Sequence, residues 1–172
     1  MKYMQDGGFQ SNSLMRLTLG LTLALLLGFW VTNLSMYFSR MNLRPSSVVS
    51  YYNGSEADFR PPRSLESMTE TTHMHLPMMA LVLLFLTHLT IFVPMPRNAK
   101  LAFIVGAFTS AAFEEGGGWL VRFVSPGLAI VKVVGFVGLQ SALAILMLAL
   151  ARFLFRGRRS EPGALREGRE SA

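Results

Sequence analysis

Cysteine is absent from this chain of 172 residues. Disulfides, thiolate metal sites, iron–sulfur clusters and covalently attached c-type haem are thereby excluded. Charge is scarce as well: 15% of residues are charged and 51% are hydrophobic, where ordinary soluble domains carry about a quarter charged. The few charges sit between long apolar runs and at the tail, the pattern that a bilayer core imposes. Histidine is confined to His73, His75 and His88. No phosphate-binding loop, dinucleotide fingerprint or Ser-His-Asp arrangement is present. The net charge is +6. Its basic residues flank hydrophobic segments, which assigns them to topology and anionic lipid and excludes nucleic acid as a partner.

What is present is a series of four apolar runs, so the expected fold is all-α, a polytopic membrane protein built as a four-helix transmembrane bundle. Residues 1–13 read as a polar cytoplasmic lead and 14–38 as the first span. Residues 39–72 read as a polar periplasmic loop, 73–93 as the second span, 101–120 as the third and 128–155 as the fourth. Residues 156–172 read as a disordered basic cytoplasmic tail. The first run is longer than a signal-peptide core of about 7–15 residues. It ends in Trp30, Tyr37 and Phe38 without a small-x-small site, so it reads as a retained helix with an aromatic belt. Within the loop, Tyr51-Tyr52-Asn53-Gly54 and Pro61-Pro62 are turn signals, and 64–72 fits a short helix leading into the membrane. With both termini inside, the cytoplasmic side carries ten Lys and Arg and the outer side six. This agrees with the positive-inside rule and with a bacterial inner-membrane location.

Depth along a helix follows from its rise of about 1.5 Å per residue. His88 lies about 8 Å above Val93 and His75 about 27 Å above it, while Glu114 lies about 21 Å above Lys100. Lys132 lies about 30 Å above Arg152 on the fourth run. His, Met, Glu and Lys side chains from three helices are therefore expected in one layer near the outer surface. Ionisable groups at membrane depth are costly to bury and point to function.

Three chemistries suit such a layer. A metal reading takes His73, His75, Met78 and Met79, because His with Met suits copper. Residues two apart point about 200° apart on a helix, so His73 and His75 share an ion only if 72–77 is extended. Pro77 in a first helical turn permits that. If the helix runs through, Pro77 leaves the His73 carbonyl without its partner. A haem b reading takes His73, His75 and His88 as ligands, with Met147 or another subunit supplying the second axial position. A quinone reading takes the histidines as contacts and Glu114 or Glu115 as the proton acceptor. The plainer alternatives are wet interfacial histidines, a hydrogen-bonded His88, and an acidic pair neutralised by Lys132 or Arg122, with no cofactor bound. Glycines 20, 28, 106, 135 and 138 suit close helix approach, and glycines 116–118 suit a break in the third helix.

The segments Ser46-Ser47-Val48-Val49-Ser50-Tyr51-Tyr52-Asn53-Gly54, Pro62-Arg63-Ser64-Leu65, Glu70-Thr71-Thr72-His73-Met74-His75 and Thr87-His88-Leu89 span a quarter of the chain. They resemble small, poorly characterised bacterial inner-membrane proteins that accompany c-type cytochromes and respiratory complexes. The resemblance implies a periplasm-facing loop and a respiratory setting, with other membrane subunits and c-type cytochromes as partners. The expected function is that of a membrane subunit of an electron-transfer complex, in oligomeric contact with its neighbours. A cofactor-free anchor or assembly subunit is the first alternative, and a small transporter or metal-permeation protein the second.

Overall fold

The computed structural model describes residues 12–156. The expected polar lead up to residue 11 and the basic tail from residue 157 lie outside the described residues. The order of elements is α1 (Ser13–Arg40), α2 (Pro45–Asn53), α3 (Leu65–Thr90), α4 (Arg97–Phe123), a 3-10 turn (Pro126–Leu128) and α5 (Ala129–Arg156). No strand occurs among the described residues; a single antiparallel bridge joins Ser55 and Arg60. The fold is all-helical, as the composition requires.

Helices α1 and α3 start where the sequence offers a side-chain partner for the first free amides. Asn12 caps α1 by accepting from Leu14 N and Met15 N at 3.0 and 3.2 Å. Ser64 caps α3 through Ser67 N at 3.2 Å, so α3 begins at Leu65, and the short helix expected over 64–72 runs without interruption into the second span. Pro94-Met95-Pro96 separates α3 from α4. The loop reading of 39–72 also missed α2. Pro45 supplies its first helical position, Val48 and Tyr52 are buried four residues apart, and Gly54 ends it at φ +86°. Any side chain at Gly54 would be strained in that conformation, and its Cβ would lie 2.7 Å from the Arg60 carbonyl.

Three helical stretches are long and apolar enough to cross a membrane: Ser13–Arg40, Leu65–Thr90 and Pro126–Phe155. The expected third span, 101–120, falls in α4, which has 27 residues but is not among the three, because Glu114, Glu115 and glycines 116–118 dilute its apolar character. The expected break at those glycines does not occur; α4 is continuous from Arg97 to Phe123. Helix hydrogen bonds persist because the glycine stretch is pressed against α5 and α2.

The α4–α5 pair forms the most extensive helix contact, and glycine is the reason. A Cβ on Gly117 would fall 2.7 Å from the Lys132 backbone, and one on Gly135 would fall on the backbone of Phe113 and Glu114. Gly138 meets the Ser110 side chain in the same way. The Lys132 and Glu114 neighbourhoods are thus brought together backbone to backbone. Gly28 and Gly106 face open space and Gly20 only a ring tip of Phe155, so the expectation of close approach holds for 135 and 138 alone among those five.

Two apolar clusters result. One holds Leu83, Leu86, Leu143, Leu146, Leu150 and Leu154. The other sits at the end of the bundle where α1 stops and α3 starts, and includes Tyr37, Val48, Tyr52, Val121 and Phe136. We call this the α2 end. Tyr37, expected in an aromatic belt, instead stacks on Phe136 with ring centroids 3.6 Å apart.

Candidate functional site

The α2 end encloses a cavity of about 80 Å³, lined by residues of α1, α2, α3, α4 and α5. Two adjacent carboxylates of α4 face it, and each meets a different kind of partner.

Glu114 is held by Lys132. The ammonium donates to Glu114 Oε1 at 2.5 Å and to the Glu114 carbonyl at 2.6 Å. The Lys132 side chain is only 6% exposed and that of Glu114 16%. Tyr52 closes this pocket from α2: its ring lies 6.0 Å from Lys132 Nζ and rests on Gly118, where any Cβ would collide with the phenol. Burial pushes the Tyr52 phenol above its ordinary value, with Lys132 opposing. The unfolded phenol therefore ionises first, and this residue's contribution to stability falls as pH rises beyond about 10.

Glu115 turns the other way, toward α3. Its Oε1 accepts from the Thr72 hydroxyl, which in turn accepts from Trp119 Nε1 at 2.9 Å. Its Oε2 lies 3.3 Å from His75 Nδ1. The His75 side chain is 49% exposed while that of Glu115 is 10% exposed. An accessible imidazole thus leads to an enclosed carboxylate, and Nδ1 contact with Glu115 leaves Nε2 available to a ligand.

The other sequence-derived candidates lie elsewhere. Helix α3 runs unbroken past Pro77, so the extended geometry that would let His73 and His75 share an ion is not adopted. Fifteen residues bring His73 and His88 to within about 60° around the helix, whereas His75 lies about 140° from His88. His73 and His88 are both exposed, and His88 packs edge-on against Phe92 at 5.8 Å. Met78 is exposed and Met79 half-buried against the leucine cluster. Among the described residues no three His, Asp or Glu side chains converge in a metal-binding group. Met147, the candidate partner for His88, is buried near Leu26, Trp30 and Leu86. Arg122, one candidate neutraliser of the acidic pair, instead donates from Nε to the Arg63 carbonyl at 2.9 Å.

Sequence reasoning missed Tyr52, Thr72 and Trp119. The last two carried a usable signal: Thr72 and His75 are three apart on α3, and Glu115 and Trp119 four apart on α4, so each pair shares a helix face.

Comparison with known proteins gives one match, to a family model described as a transmembrane helical domain, over residues 42–161. No curated protein and no solved structure matches this chain. The matched stretch begins after α1 and takes in α2, α3, α4 and α5, with both carboxylates and both of their partners. With more than two thirds of its length matched, the chain belongs to the Aq_1264_TM family of transmembrane helical domains.

Proposed function

We propose that the protein is a four-span subunit of a bacterial electron-transfer complex, and that the His75–Glu115 pair takes up and releases the protons of a quinol. Both termini lie in the cytoplasm and the α2 end faces the periplasm. The observation that carries this reading is the pairing of an accessible imidazole with an enclosed carboxylate at the cavity. Histidine titrates near neutrality, and the carboxylate behind it stabilises the imidazolium that a quinol proton creates. The quinol hydroxyls meet His75 Nε2, which takes their two protons in turn and passes each to the outer water, while the two electrons leave to the redox centre of a partner subunit.

The four-span count is supported by the length of α4, about 40 Å at 1.5 Å per residue, against a hydrocarbon core of about 30 Å. The closure of Glu114 by Lys132 removes its net charge from that path. The positive-inside balance supports the orientation.

The test is quinol oxidation by native membranes and by the complex purified with its partners. His75→Ala and Glu115→Gln should each lower the rate by about a hundredfold, the usual worth of a positioned acid or base. Wild-type rates in both variants would sink the reading. The cofactor-free anchor would then take its place, since the Glu114–Lys132 pair and the glycine seam fit a purely structural role.

A further inference from the structure

The α2 end gathers arginines that the proposed topology disfavours. Arg40, Arg44, Arg60 and Arg63 all lie between α1's last turn and α3's first residue. The same stretch carries Glu56 and Asp58, and α3 adds Glu66 and Glu70, yet none of these carboxylates pairs with an arginine. Among the described residues the ion pairs are Lys132–Glu114 and His75–Glu115. These guanidinium groups are therefore not ion-paired, although the carboxylates of the region equal them in number.

Two of the arginines are built into one cluster. Arg40 donates from an Nη to the Tyr51 hydroxyl at 3.3 Å. Arg63 lies over the Tyr51 ring, 5.5 Å from its centroid. Both arginines and Tyr51 line the cavity described above. Arg63 Nε is buried and has no hydrogen-bond acceptor. A buried guanidinium N–H without an acceptor is costly, and two planar forks around one phenol match the oxygens of a phosphate. Arg63 is anchored from behind, because Arg122 Nε donates to its carbonyl. The position suits a lipid headgroup: Arg40 ends α1, and the exposed Phe59 lies beside Arg60 on the same loop.

We propose that Arg40, Tyr51 and Arg63 form a phosphate-binding site at the mouth of the cavity, occupied by the headgroup of an anionic phospholipid. The site is separate from the His75–Glu115 pair and needs neither of those side chains. The Tyr51 ring sets the spacing of the two guanidinium groups.

The experiment uses the full chain, purified in nonionic detergent and exchanged against mixed vesicles of phosphatidylglycerol and phosphatidylcholine. Retained lipid is read by native mass spectrometry. The wild-type protein should retain phosphatidylglycerol over phosphatidylcholine by roughly tenfold or more, the worth of one charge-assisted hydrogen bond. Arg63→Gln and Arg40→Gln should each abolish that preference, while Arg44→Gln, on an exposed arginine outside the cavity, should keep it. Arg40 is exposed at a helix end, so its variant folds even if Arg63→Gln does not. A parallel arm measures binding of radiolabelled inorganic phosphate to the delipidated chain by equilibrium dialysis. Phosphate binding that Arg40→Gln removes, without lipid preference, would retain the phosphate site and replace its occupant by a soluble anion. No preference for phosphatidylglycerol together with no phosphate binding above that of Arg40→Gln would overturn the proposal.

Discussion

Glu114 and Glu115 are neighbours in sequence and strangers in environment. Glu114 lies in the glycine-lined seam between α4 and α5, held by a lysine with 6% of its side chain exposed. Glu115 lies between α4 and α3, held by a threonine hydroxyl and a half-exposed histidine. Both carboxylates face the cavity, but the partner of the first is a fixed cation, set where the α4 and α5 backbones touch. The second opens onto the cavity through a group that titrates near neutrality. Burial of a carboxylate alone therefore does not mark function; the titration range and access of its partner do.

The contrast breaks most readily at Lys132. Lys132→Met strands Glu114 as an uncompensated buried charge and should cost about 3–5 kcal/mol. Adding Glu114→Gln to it should recover most of that loss. Unfolding by dodecyl sulfate titration in mixed micelles would show both. Gly135→Ala should cost about 1–3 kcal/mol by forcing the α4 and α5 backbones apart. Gly106→Ala, which faces open space, should be neutral in the same assay. Gln140 tests the rule from another side. Both its side-chain amide atoms are buried without partners, although its backbone carbonyl accepts from Trp30 Nε1 at 3.1 Å. Gln140→Met should raise stability by about 1 kcal/mol by removing an unsatisfied amide. Among the ionisable groups the smallest effect on stability belongs to the open pair: His75→Ala and Glu115→Gln should each cost under about 1 kcal/mol. A large loss of stability in either would move Glu115 into the same class as Glu114.

Much of this contrast was legible in the sequence. Helical rise alone put His75, Glu114 and Lys132 in one layer, and cost of charge at depth pointed to Lys132 as a neutraliser. The same angular arithmetic separates His75 from His73 and His88. What the sequence did not disclose is which carboxylate Lys132 would take, because that depends on the α4–α5 register. Gly117 and Gly135 set that register, and glycines 116–118 read instead as a break. Helix α2 was hidden by its polarity and by Tyr51-Tyr52-Asn53-Gly54, which reads as a turn. Its signals were Pro45 at the start, Val48 and Tyr52 one turn apart and Gly54 at the end. Without α2, the Tyr52 contact on Gly118 and the Arg40–Tyr51–Arg63 cluster had no visible scaffold.

The dependence of α4 on α5 also bears on how the chain enters the membrane. In the four-span reading, Glu114 leaves the ribosome 18 residues before Lys132, an interval of about one to four seconds at ordinary synthesis rates of 5–20 residues per second. During that time α4 carries two carboxylates into a translocon that resists them, each worth up to about 3 kcal/mol against insertion. On that reading the Ser125-Pro126-Gly127 turn would bring Lys132 to Glu114, and the two helices would partition into lipid as one hairpin on the timescale set by those 18 residues.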